Sequence, residues 1–179
     1  MTKLNTLFSS LAVLILLSAS GAAFSSREAL IKPDKLTADI SLPPALVSES
    51  ENAARRYATF WNTGDEHFAR QALSKAFIDK TPPEGRKQGV EGALMASLAF
   101  RTAVPDLSCE VEEMIIAGDK VVSHLHFRGH FTGTFGKLEG KGQKVDFLAT
   151  DIYQIAAGKI QANWHIEDNL TLMKQLGAL

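Results

Sequence analysis

Near its end the chain reads Asn163-Trp164-His165-Ile166-Glu167-Asp168, an imidazole and two carboxylates within six positions. Imidazole gives and takes protons near neutral pH. A carboxylic acid withdrawn from water has a raised pKa and does the same work. Proton transfer is therefore the chemistry these residues offer, provided that some of them enter a pocket. Asp151 is a third candidate. Val145, Phe147, Ala149, Asp151, Tyr153 and Ile155 fall at every second position, so a strand here places one carboxylate in an apolar stripe.

Regular alternation over the last segment puts Ile160, Ala162, Trp164, Ile166 and Asp168 on one face and Gln161, Asn163, His165 and Glu167 on the other. If Ile155 pairs near Ile160 across the "AAGK" turn, Asp151 lies near Trp164, and Asp168 near Phe147. On that register Asp168 is the acid/base, Asp151 or His165 its partner, and Trp164, Tyr153, Phe147 and Trp61 form the substrate wall. A bulge reverses the faces and sends His165 inward. Two bland readings stand beside these: Asp168 caps the helix that follows, and Asp151 is a salt-bridged or hydrogen-bonded structural acid.

Other chemistry has weaker support. His124, His126 and His130 share a strand face, but without a clear carboxylate partner this is a poor metal motif, and a polar outer or dimer-facing surface is the preferred reading. Cys109 sits in an apolar strand and reads as a small buried residue. Nucleophile-elbow, phosphate-loop and dinucleotide fingerprints do not occur.

The elements that position these residues follow from periodicity. Ser48 with Glu51 forms a capping-box pattern, and Ala53, Ala54, Tyr57, Phe60 and Trp61 make a helical stripe that ends at Gly64. Asp65 caps a short second helix carrying Phe68, Ala72 and Leu73. A third runs over about 90–103, with Leu94, Leu98 and Arg101 near one side. After Leu107 the period changes to two, over about 107–117, 120–132, 143–156 and 159–168, with short turns that imply antiparallel hairpins. A short helix, "LTLMKQLG", closes the chain. The fold class is α+β, three N-terminal helices packed on a curved antiparallel sheet.

The first residues differ from the rest. Lys3, an apolar run from Leu11 to Leu17 and a small-residue stretch have the layout of a signal peptide over 1–23, cleaved after Ala22 or Ala23. That run is shorter than the roughly 20 residues a permanent span needs. Residues 24–47, with three prolines, read as a linker or extended arm before a domain at 48–179. A secreted or periplasmic protein with no membrane span after cleavage is the expectation. The 19 basic and 20 acidic residues nearly balance, which gives no field for nucleic acid.

"PDL" at Pro105–Leu107, "GDKVV" at Gly118–Val122, Gly129 to Gly133, "GKIQANW" at Gly158–Trp164, Asp168 and "QLG" at Gln175–Gly177 resemble, as an ordered set, the SnoaL-like polyketide cyclases and related ester cyclases. So does the opening "ARRYATFWNTGD". The resemblance covers about 48–179. It implies a nuclear transport factor 2-like cone, often a homodimer, binding a small molecule. It also implies an aldol-type cyclase or isomerase in which an Asp is the acid/base, without metal or cofactor. His165 stands where many members carry a second acid after the tryptophan, and Lys80 where a histidine often follows the second helix. Three functions are compatible with these residues: a cyclase or isomerase, a non-catalytic binder of a small apolar ligand, and a structural module whose pocket is filled.

Overall fold

The structure, a computed structural model, describes residues 29–179. The signal-peptide stretch lies outside the described residues. In chain order the elements are β1 (Lys35–Ala38), α1 (Pro44–Thr63), α2 (Glu66–Ala72), β2 (Leu73–Asp79), α3 (Gly89–Ala103), β3 (Ser108–Ala117) and β4 (Lys120–Phe131). Then come β5 (Thr134–Phe135), β6 (Leu138–Glu139), β7 (Gln143–Ala156), β8 (Lys159–Glu167) and α4 (Asn169–Leu176). The fold is α+β, with four helices and a curved sheet.

The four long strands form where the period-two pattern places them. They pair antiparallel in the order β3-β4-β7-β8. The inward face of β7 is the apolar stripe from Val145 to Ile155, each residue buried, Asp151 included. Against it lies the buried side of α1, where Ala53, Ala54, Tyr57 and Phe60 are almost wholly removed from water. Burying a ring the size of Phe60 contributes roughly 1.5–3 kcal/mol.

Three expectations need correction. First, the sheet is mixed: β1 adds parallel to β3 and β2 parallel to β8 at its two edges. β1 falls within the stretch read as linker or arm. β2 carries Leu73, read as helical, and separates α2 from α3, so the three helices are not consecutive. Both strands are short and lie at the sheet edges, so neither shows strong alternation. Second, α1 begins at Pro44, where proline suits the first helical turn, and no side-chain cap forms at its start. Ser48 lies inside the helix. Third, Leu98 points outward at 70% exposure, while Ala93, Leu94 and Ser97 form the buried side of α3. Arg101 instead ties helices together, donating to the carbonyls of Trp61 (2.5 Å) and Leu107 (3.2 Å). Asp65 caps α2 as expected, accepting from His67 N–H at 2.8 Å. Cys109 is buried, and burial pushes its thiol pKa up.

Candidate active site

The register of one hairpin decides the site. The β7–β8 turn pairs Ala156 with Lys159, and its central residues Ala157 and Gly158 both have positive φ, which suits a two-residue hairpin. Ile155 pairs with Ile160 as expected. Gln154 then pairs with Ala162, leaving Gln161 as an extra residue. From that bulge onward every side chain of β8 takes the face opposite to regular alternation. Asp151 therefore faces His165, Tyr153 faces Asn163 and Ala149 faces Glu167. Trp164 and Ile166 turn to the outer face, opposite Ile152 and Thr150.

The expected site residues sort accordingly. Asp151, His165, Phe147 and Trp61 line one cavity. Tyr153 is fully buried behind it and reaches it only through Asp151. Trp164 lies outside, so it is not a substrate wall. Asp168 is also outside. It caps α4, accepting from the Thr171 N–H (3.0 Å) and hydroxyl (2.6 Å), and these bonds hold its pKa below the usual carboxylate range. The strand ends one residue before it, and the helix claims its carboxylate.

Asp151 is 1% exposed and accepts three hydrogen bonds of 2.8 Å. They come from the Tyr153 hydroxyl, Asn163 Nδ2 and His165 Nδ1. His165 Nε2 lies 3.3 Å from Glu167 Oε2. Burial alone pulls the His165 imidazole down, but its bonds to Asp151 and Glu167 outweigh this, and its pKa is pushed up to about 10. At neutral pH the ring is an imidazolium between two carboxylates. Glu167 and Asn163 were placed on the opposite face by regular alternation; one residue of slip brings both in.

The cavity has a volume of about 540 Å³. Its walls are largely apolar: Phe127 stacks on Phe147 (centroids 5.2 Å apart), Phe100 meets Phe147 edge-on, and Trp61 meets Phe127 edge-on. Met95, Ala96 and Ala99 of α3 and Leu172 and Met173 of α4 complete them. Its rim is the segment 80–88 between β2 and α3, which brings Arg86 and Lys87 into the lining. Thr81 anchors that segment. Its hydroxyl accepts from His165 N–H (2.8 Å) and donates to the His165 carbonyl (3.0 Å), serving the β8 edge beyond the end of β2. Gln88 likewise brackets the backbone of Asp79. Nothing local in "KTPPEGRKQ" signals the Thr81 contacts, because His165 is distant in sequence.

Gly92 lets the segment lie against α3. A Cβ there would stand 1.8 Å from the Lys87 carbonyl oxygen. Gly92→Ala is expected to displace the rim and destabilise the protein by about 1–3 kcal/mol, measured by urea unfolding; an unchanged midpoint would show that the rim can move aside freely.

Against expectation each of the three histidines of β4 meets a carboxylate, and His124 and His126 share Glu112, at 3.9 and 2.7 Å. His126 contacts Glu112 (2.7 Å) and Asp146 (2.6 Å) with opposite ring nitrogens, His130 contacts Asp106 (2.7 Å), and His124 contacts Thr150 (2.9 Å). Among the described residues, no group of three or more His, Cys, Asp or Glu is arranged to hold a metal.

Comparison with known proteins gives the site its context. A Bacillus cereus protein provisionally named a polyketide cyclase is 41% identical, with 85% of this chain and 96% of that one aligned and a TM-score of 0.76. TsrD from Streptomyces laurentii is 27% identical over 77% of this chain and 99% of its own, TM-score 0.67. A Jannaschia protein provisionally named a SnoaL-like polyketide cyclase shares the fold at 21% identity, over 79% and 99% of the two chains, TM-score 0.66. No curated protein matches. The family description "SnoaL-like polyketide cyclase" matches residues 51–176, and the chain belongs to that family.

Proposed function

We propose that the protein is a cofactor-independent cyclase or isomerase acting on a small carbonyl or polyketide-like compound, with His165 and Glu167 as its proton carriers. The observation that carries this reading is the His165 imidazole held between the carboxyl groups of Asp151 and Glu167 in a largely apolar cavity. Asp151 fixes the ring through Nδ1, so Nε2–H is the group presented to substrate. The Glu167 carboxylate takes a proton from the carbon beside a carbonyl. The C–H electron pair becomes the C=C bond, and the carbonyl oxygen takes the Nε2 proton of His165 to give an enol. In ring closure the enol carbon attacks a second carbonyl carbon. The enol proton returns to His165, and the new alkoxide takes the proton held by Glu167, restoring both groups. The apolar walls strengthen these charge interactions by excluding water.

The test is deuterium exchange into a panel of enolisable ketones and 1,3-dicarbonyl compounds, followed by NMR. Exchange above the buffer rate is expected with the wild type, falling about 10²–10⁴-fold in His165→Gln with the fold intact. Equal rates in the two proteins would remove His165 from the mechanism.

An apolar cavity also suits a non-catalytic carrier. That reading predicts a ligand retained through purification and affinity that His165→Gln leaves unchanged. The open volume speaks against a purely structural module with a filled pocket. Two further expectations belong to the proposal. A homodimer is supported by Ile115, Leu148 and Ile152 on the outer sheet face, each more than a third exposed; sedimentation at several concentrations tests it. Export is supported by the layout of residues 1–23, and fractionation of expressing cells tests that. Among the described residues no helix is long and apolar enough to cross a membrane.

A further inference from the structure

Behind the main cavity lies a second, much smaller chamber of about 30 Å³, lined by Arg86, Asn163, Asp151, His165, Asp79 and Trp61. Its size admits a single small polar group. Asn163 and Arg86 in its wall have unused capacity, and Tyr57, whose hydroxyl can donate or accept, also lines it. Asn163 is 5% exposed and commits Nδ2 to Asp151, while its Oδ1 is buried with no hydrogen-bond partner. Leaving a buried acceptor unmatched costs about 1–3 kcal/mol. The Arg86 side chain is 32% exposed, and its guanidinium carries five N–H donors. Among the described residues its one side-chain partner is Asp79, at 3.7 Å, beyond ordinary hydrogen-bond length. The Thr81 N–H holds Asp79 from its other oxygen at 3.0 Å, which fixes the position of the ion pair.

A lone acceptor and a nearby fork of cationic donors, in a space for one group, specify that group's chemistry. It must donate one hydrogen bond and accept another. A carbonyl oxygen satisfies Arg86 and leaves Asn163 unmatched; an ammonium does the reverse and is repelled by Arg86. A hydroxyl on a planar carbon skeleton satisfies both. The geometry points to the inner chamber as a hydroxyl subsite, in which an enol or phenol O–H of the substrate donates to Asn163 Oδ1 and accepts from Arg86. Arg86 and Asn163 are then specificity-determining residues. They seat one oxygen of the substrate behind the aromatic wall, so that its neighbouring carbons lie beside His165 and Glu167. A site built to hydrogen-bond a hydroxyl rejects analogues that lack it far more strongly than an apolar wall rejects a missing methylene. This inference rests on the proposed role of the cavity as a substrate pocket, and the experiment separates the two.

Binding of 2-naphthol, 2-methoxynaphthalene and naphthalene is measured near neutral pH by calorimetry, on the wild type, Arg86→Gln and Arg86→Lys. The three probes share a flat apolar body and differ at one position: donor and acceptor, acceptor only, or neither. In the wild type 2-naphthol is expected to bind about 10-fold or more tightly than either analogue, the equivalent of about 1.4 kcal/mol. In Arg86→Gln that advantage is expected to shrink at least about threefold, with Arg86→Lys intermediate, while naphthalene affinity stays within about twofold of the wild type. Equal affinity for the three probes in the wild type overturns the subsite, whether an ordered water or nothing holds the chamber. An advantage undiminished in Arg86→Gln also overturns it. If no probe binds the wild type, the pocket reading fails and the subsite with it; if naphthalene binds without a hydroxyl advantage, only the subsite fails.

Discussion

Asp151→Asn is expected to lower the His165 pKa from about 10 by about 1–3 units and to cut turnover by about 10–10³-fold at pH values above the lowered pKa. The substitution keeps the side-chain volume and leaves an oxygen that can accept from Nδ1, so the ring keeps its place. What disappears is the charge. Burial favours the neutral imidazole, and in the native protein the bonds to Asp151 and Glu167 override it. With Asp151 neutral, only Glu167 opposes burial, and it does so across a longer contact of 3.3 Å. Above the lowered pKa the ring is neutral, and the acid that protonates the carbonyl oxygen is lost there. The titration is read by NMR on ¹⁵N-histidine-labelled protein and needs no substrate. A His165 pKa that stays near 10 would place the source of its elevation in Glu167 and contradict the role given to Asp151. Asp151→Ala is a different experiment. It leaves the His165, Tyr153 and Asn163 donors around an uncompensated void, and a stability loss of about 3–5 kcal/mol is expected.

The second large effect is on stability at alkaline pH. His165 has a raised folded-state pKa, near 10 against an ordinary 6.5. Its contribution to stability is therefore complete below about pH 6.5 and declines as pH rises toward 10, because the unfolded chain releases a proton that the folded chain retains. Within this window the unfolding free energy is expected to fall by up to about 1.4 kcal/mol per pH unit. Between about pH 6.5 and 8.5 the slope reports chiefly on His165. Above that, Cys109, Tyr57 and Tyr153 add a decline of the same sign, since burial raises the pKa of each. Urea unfolding across this range in the wild type and in His165→Gln measures the difference. A flat profile from pH 6.5 to 8.5 in the wild type would mean that the ring is neutral in the folded protein, and the acid role would pass to another group.

Both predictions concern a residue that regular strand alternation puts on the wrong side of the sheet. Much was nonetheless legible in the sequence. The inner stripe of β7, with Asp151 as its one charge, follows from period-two spacing alone. So do the four long strands, the Asp65 cap and the pairing of Ile155 with Ile160. These are local properties, set by a few neighbouring residues and by turn chemistry. The family resemblance added the fold and the class of chemistry.

Three features came only with the tertiary structure. β1 and β2 join the sheet by parallel pairing with strands far away in sequence; β1 has only four residues, and the pairing of β2 is interrupted between Leu73 and Ile78, so its burial does not alternate. The segment 80–88 takes its place from Thr81, whose partners are backbone groups of His165, so its role as the rim carrying Arg86 has no local signature. Most consequential is Gln161. One extra residue in β8 moves Asn163, His165 and Glu167 inward, turns Trp164 outward and leaves Asp168 to the helix. The sequence by itself determined which residue types were available for proton transfer and which strands would carry them. Which carboxylates meet the imidazole was decided by register, because side-chain direction reverses with every single-residue slip.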